Sequence, residues 1–135
     1  MPLSLDRRVR KRAGDACEYC RMPQSAFRFA FPLDHIRAKQ HGGRKQFNNL
    51  ALACTKCNLY KGPNLTGIDP RDNRITPLFH PRRERWADHF RWRGLRIIGL
   101  TPTGRATLRV LKMNNPASVS IRRSLLAEGL FPPSE

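Results

Sequence analysis

Asp34, His35 and Asn58 are the residues of this chain whose types suit hydrolytic chemistry, and four cysteines bracket the window that holds them. A carboxylate oxygen and a carboxamide oxygen are hard ligands, suited to magnesium or manganese. A neutral imidazole near physiological pH can take a proton from water. Together they supply a nucleophile activator and a Lewis acid, the minimum for hydrolysing a phosphodiester. Neighbouring residues of an ideal strand point to opposite faces, so Asp34 and His35 can flank one substrate only at a frayed strand end.

The cysteines form two Cys-x-x-Cys pairs, Cys17 with Cys20 and Cys54 with Cys57. Cysteines at i and i+3 can both face one tetrahedral ion, and two such pairs complete a closed structural zinc site. The 33 residues between the pairs exceed a simple ribbon spacing, so the pairs clamp a small folded insert. Disulfides are the competing reading. Met1 to Arg12 is basic and has no apolar core of a signal segment, and no run of about 18 apolar residues could span a membrane. The expectation is therefore a soluble, cytoplasmic protein with zinc-bound thiolates. The formal charge of +16 implies a polyanionic partner, nucleic acid before an anionic membrane.

The elements that must position these groups are readable in outline. Ser4 caps and Gly14 stops a basic first helix carrying Arg7, Arg8, Arg10, Lys11 and Arg12, read as a phosphate-contacting arm. Phe27, Phe29, Phe31 and Leu33 alternate with Arg28 and Ala30 as in a half-buried strand, which Pro32 interrupts. A basic glycine-containing loop follows with Lys39, His41, Arg44 and Lys45. Leu50–Ala53 reads as a second strand, and Thr55 caps a short helix bearing Cys57, Asn58 and Lys61 that Gly62-Pro63 closes. Lys61 is a candidate for a phosphate or for the last helix carbonyls.

Residues 62–76 read as a connecting loop, and 91–100 as a hairpin with Gly94 near its turn. Thr101-Pro102 starts a helix on which Arg105, Arg109 and Lys112 share one face, and a last helix covers about 117–128. Trp86 and Trp92 are read as core anchors, His80 and His89 as packing or surface residues. One domain over 1–135 is expected, with a core at about 14–66 and an extension at about 67–135 packed on it.

Cys17-x-x-Cys20, Leu33-Asp34-His35-Ile36, Gly42-Gly43, Asn48-Asn49-Leu50-Ala51-Leu52-Ala53-Cys54 and Cys57-Asn58-x-x-Lys61-Gly62 follow one another in an order that resembles the zinc-bearing HNH endonuclease motif. The segment Leu78-Phe79-His80-Pro81-Arg82-Arg83, with Trp86, His89-Phe90 and Gly99-Leu100-Thr101-Pro102, more loosely resembles small bacterial stand-alone HNH proteins. The resemblance implies an α+β fold: a ββα-metal finger stapled by a four-cysteine zinc site, with a basic helix before it and a hairpin plus two helices after it. It implies His35 as general base, Asp34 and Asn58 as ligands of a catalytic Mg2+ or Mn2+, and Asn49 as the brace that orients the base. The implied activity is endonucleolytic hydrolysis of DNA, taken as double-stranded. Arg37 stands where the family often has proline. A non-catalytic zinc module that binds nucleic acid would use the same cysteines and charge without needing Asp34 or His35.

Overall fold

The structure, a computed structural model, describes residues 2–133. It is a mixed α+β fold with three two-stranded antiparallel sheets among the described residues. Helix α1 (Leu5–Ala13) begins where Ser4 Oγ accepts the Arg7 N–H and ends at Gly14, whose φ of 64° is the left-handed stop. It is fastened to the insert by arginines. Arg12 donates to the carbonyls of Phe47 and Leu50, and the guanidinium carbons of Arg8 and Arg12 lie 4.3 and 3.9 Å from the Phe47 ring centroid.

Strands β1 (Leu33–His35) and β2 (Leu50–Leu52) pair with Asp34 opposite Ala51 and His35 opposite Leu50. The strand expected over Phe27–Leu33 is confined to its last residue. The side chain of Gln24 takes up the backbone polar groups instead, donating to Phe29 O and accepting the Phe31 N–H. Pro32 has no N–H to offer a ladder, and Phe29 is 83% exposed while Phe31 is buried. Helix α2 (Thr55–Lys61) follows β2; its N-cap is Cys54, not Thr55, because the cysteine sulfur accepts the Cys57 N–H.

The expected loop at 62–76 contains a hairpin of β3 (Thr66–Ile68) and β4 (Ile75–Pro77). Its turn places Asn73 at φ 61° and pairs Asp72 Oδ1 with the Arg74 N–H, so Asp72-Asn73 was a hairpin signal. A short helix α3 (Trp86–His89), absent from the sequence reading, leads into β5 (Phe90–Arg93) and β6 (Arg96–Gly99), the hairpin that was expected. Helix α4 (Pro102–Leu111) starts at the Thr101 cap, and α5 (Pro116–Ala127) at an Asn115 cap. Gly104 sits inside α4 because a Cβ there would come 2.1 Å from His89 O. The helix thus rests directly on backbone.

A buried apolar cluster joins Val9 of α1, Tyr19, Phe31 and the β2 residues to Phe79, Trp86, Phe90, Ile97 and Leu111. The indole N–H of Trp86 donates to Tyr19 O at 2.7 Å, a bond from the later half of the chain into the first cysteine knuckle. No helix among the described residues is long and apolar enough to cross a membrane.

Candidate metal centre and HNH site

The two cysteine pairs converge. Cys17 and Cys54 each sit at the start of a turn, and their sulfurs accept the N–H groups of Cys20 and Cys57 at 3.4 Å. All four are buried, and their sulfurs lie within 4.8 Å of one another, with Cys20 and Cys54 at 3.7 Å. A zinc ion with bonds of about 2.3 Å needs sulfurs about 3.8 Å apart in a tetrahedron, so the donor set and spacing fit a structural zinc. The electrostatics agree. Hydrogen bonds from Cys17, then Cys20 and Cys57, hold the Cys54 thiol far below its ordinary range, while those with Cys17 push Cys20 and Cys57 up. Four sulfurs this close ionise together only around a cation.

Beside this centre, the alternation of β1 turns Asp34 inward. Its side chain is 4% exposed, and both carboxylate oxygens are engaged. Tyr19 donates its hydroxyl to Oδ2 at 2.7 Å, and Lys61 Nζ lies 3.1 Å from Oδ2 and 3.3 Å from Oδ1. The same ammonium, 2% exposed as a residue, also donates to the carbonyls of His35 and Ile36 at 3.1 Å each. Burial raises the Asp34 carboxyl above its ordinary value, against the opposing pull of Lys61 and the Tyr19 hydroxyl. Burial, then the neighbouring Asp34 charge, pushes the Tyr19 hydroxyl far up, so it stays a donor. Lys61 is therefore an internal brace of the β1 end and no surface cation.

His35 is partly buried, and its Nε2 is sealed from solvent without a hydrogen-bond partner among the described residues. Asn58 lies on α2 one turn before Lys61, partly buried, with its backbone in the helix ladder and a carboxamide that has no partner among the described residues. Asn49 closes the loop after β1. Its Oδ1 accepts the Arg37 N–H at 2.9 Å, and its Nδ2 donates to the carbonyls of Arg37 at 3.0 Å and Arg44 at 2.9 Å. Its own carbonyl accepts the Ile36 N–H. Gly43 lets that loop fold on itself, since a Cβ there would fall 1.7 Å from Arg37 O.

Residues 17–64 match the HNH endonuclease family. Over this stretch the chain is similar to HNH endonuclease domains. No curated protein and no solved structure matches the chain. The HNH segment begins at the first ligand of the cysteine centre and ends just past α2, so α1 and everything from β3 onward lie outside it.

The expected basic contacts divide into free and committed groups. Arg7, Lys11, Lys39, Arg44, Lys45 and Arg109 are exposed. Arg10 pairs with Asp6, and Arg8 and Arg12 hold Phe47. Arg105 forms a bidentate pair with Asp69 at 3.0 and 2.9 Å. Lys112 does not continue the face of Arg105 and Arg109, because α4 ends at Leu111 and Lys112 turns left-handed at φ 48°, its ammonium 4.7 Å from the Tyr60 ring centroid.

Sequence reasoning missed Tyr19, Glu18 and Arg82. Glu18 accepts the Leu52 N–H and pairs with Arg82 of the extension, which burial lowers to about 10. A carboxylate and a phenol inside an otherwise buried cysteine knuckle were the available signal.

Proposed function

We propose that the chain is a metal-dependent HNH endonuclease that hydrolyses DNA phosphodiester bonds, with His35 as general base. The observation that carries this reading is the buried, unpartnered Nε2 of His35 inside the matched HNH segment. That nitrogen is committed to nothing else among the described residues, while Lys61 holds the His35 carbonyl and Asn49 holds the chain just beyond it. The carboxamide of Asn58, with no partner among the described residues, supports the same view.

In this mechanism Nε2 of His35 takes the proton from a water as its oxygen forms a bond to phosphorus. The bond to the 3′-oxygen breaks opposite, leaving a 5′-phosphate. Tyr19 and Lys61 fix the carboxylate of Asp34, and Asn49 fixes the loop that continues from the base. Asp34 and Asn58 would hold a divalent ion, which when bound supplies charge stabilisation at the phosphate and the leaving oxygen. One carboxylate and one amide suit Mg2+ or Mn2+ completed by waters and substrate oxygens. Because Lys61 already neutralises Asp34, the ion's remaining charge must be met by the substrate phosphate, so metal and nucleic acid bind together. The four cysteines hold a structural zinc, residues of about 14–66 form the working core, and about 67–135 an extension of the same domain. The excess positive charge favours double-stranded DNA as the partner.

The test is plasmid cleavage with Mg2+ or Mn2+. His35→Ala should lower the rate by roughly 10²–10⁴ with an unchanged melting temperature; a full rate in that variant would overturn the assignment. The neutralised Asp34 also favours a second reading, a zinc module that binds nucleic acid without cutting it. That reading is selected if no metal supports cleavage while binding remains strongly salt-dependent.

A further inference from the structure

A cleft of about 810 Å³ opens beside the end of β1; Lys61 and Asn49 of the catalytic reading reach its lining, and its arginines have no part in that reading. The loop between β1 and β2 contributes Arg37 and Arg44 to its lining, the stretch after β4 contributes His80, Arg82 and Arg83, and Asn64 also lines it. Its charges do not balance. Lys61 at its floor is satisfied by Asp34, and Arg82 by Glu18. Glu84, the acidic residue of the lining, accepts the His80 N–H at 2.8 Å and lies 3.0 Å from His89 Nε2. The guanidinium groups of Arg37, Arg44 and Arg83 have no acceptor among the described residues and are exposed.

The backbones beneath these charges are nevertheless fixed. Asn49 holds Arg37 at both its N–H and its carbonyl and Arg44 at its carbonyl, while the Arg83 N–H donates to His80 O. His80 accepts the Arg82 N–H at Nδ1, and burial, with Arg83 second, lowers its pKa, so the neutral ring offers an Nε2–H donor. Guanidinium forks and neutral N–H donors are the groups that recognise phosphate oxygens. The aromatic residue of the lining, Phe79, is buried and offers no face for stacking a base. The cleft is built for a backbone and not for a nucleobase.

We infer that this cleft seats successive phosphates of a nucleic-acid strand, gripped by Arg37 and Arg44 from the HNH loop and by Arg83 from the extension. The inference rests on nucleic acid being the ligand, but not on the chain cutting it. One of the three gripping arginines then lies outside the matched family segment, and Asn49 positions the cleft as well as the loop.

The experiment measures fluorescence anisotropy of a short labelled DNA duplex, and of one of its single strands, across a salt series in the His35→Ala background. Two variants remove the same charge: Arg37→Gln/Arg44→Gln/Arg83→Gln in the cleft and Arg91→Gln/Arg93→Gln/Arg96→Gln on the exposed β5–β6 hairpin. The cleft variant should bind at least ~10-fold more weakly near physiological salt, its log–log salt slope reduced by roughly 2 to 3, with the hairpin variant close to the parent. The strand form that loses more identifies the preferred ligand. Equal losses in the two variants, or none in either, would overturn the cleft as a site. Arg83→Gln alone, whose side chain holds nothing in the fold, should lower the slope by about 1 even if the triple variant unfolds. Absent cleavage sinks the nuclease reading and leaves this comparison intact.

Discussion

Lys61 Nζ and Asp34 Oδ2 lie 3.1 Å apart, each on a side chain almost sealed from water, and that pair joins the last turn of α2 to the strand carrying His35. Taking two charges out of solvent is costly, and the pair is sustained by extra hydrogen bonds: Tyr19 to the carboxylate, and the ammonium to two carbonyls. Its value is geometric, since it fixes where β1 ends.

Breaking that pair from one side should therefore be severe. Lys61→Met should cost about 3–5 kcal/mol by leaving a buried carboxylate uncompensated, and Asp34→Asn/Lys61→Met should recover a large part of it. Urea denaturation of the single and double variants measures the difference. Equal stability of the two would show that the charges do not act as a pair.

The cysteine cluster should carry one zinc per chain, measurable by native mass spectrometry and elemental analysis. Cys57→Ser, or stripping with a strong chelator, should abolish cooperative melting of the fold, because a structural zinc contributes about 10 kcal/mol or more to folding in small modules. A metal-free protein with the melting temperature of the untreated one would refute this.

Asn49→Ala removes three hydrogen bonds that close the loop after β1. The expected loss is about 1–3 kcal/mol, with hydrogen exchange accelerating over residues 37–48 and unchanged in α1. Nucleic-acid binding should weaken as well, since two cleft arginines lose their anchor.

Asp69 is sealed beneath Arg105, whose hydrogen bonds hold its carboxyl below the ordinary carboxylate range against the cost of burial. Because the folded group titrates below its unfolded value of about 3.9, the ionised form favours the fold. That stabilisation is full above about pH 4 and is lost as pH falls through the depressed folded value. Asp69→Asn should lower the melting temperature at neutral pH and flatten its acid limb. An acid limb as steep as that of the parent would place the titration elsewhere.

The parts of this fold written in short-range chemistry were legible. Ser4, Gly14, Thr101-Pro102 and the cysteine spacing each specify a local conformation, and each is found where its residues place it. The alternation of Phe27, Phe29 and Phe31 misled because Gln24, outside the alternating run, supplies the hydrogen bonds a neighbouring strand would have supplied. In the site, the residue types were legible and their partners were not. Nothing local to Lys61 says that it folds back onto a carboxylate 27 residues earlier, and a run of basic residues does not reveal that Arg8 and Arg12 grip Phe47 while Arg105 is spent on Asp69. Such pairings arise only once the chain is compact.

The bond from Trp86 to Tyr19 O bears on how portable the HNH segment is. Tyr19 offers its hydroxyl to Asp34 and its carbonyl to the tryptophan, so one residue stands between the site and the rest of the chain. Excising 17–64 as a cassette would strip Phe79 and Trp86 from Tyr19 and leave Glu18 without Arg82. An engineer moving this segment into a fusion would have to carry the C-terminal half of the chain along as part of the same tool.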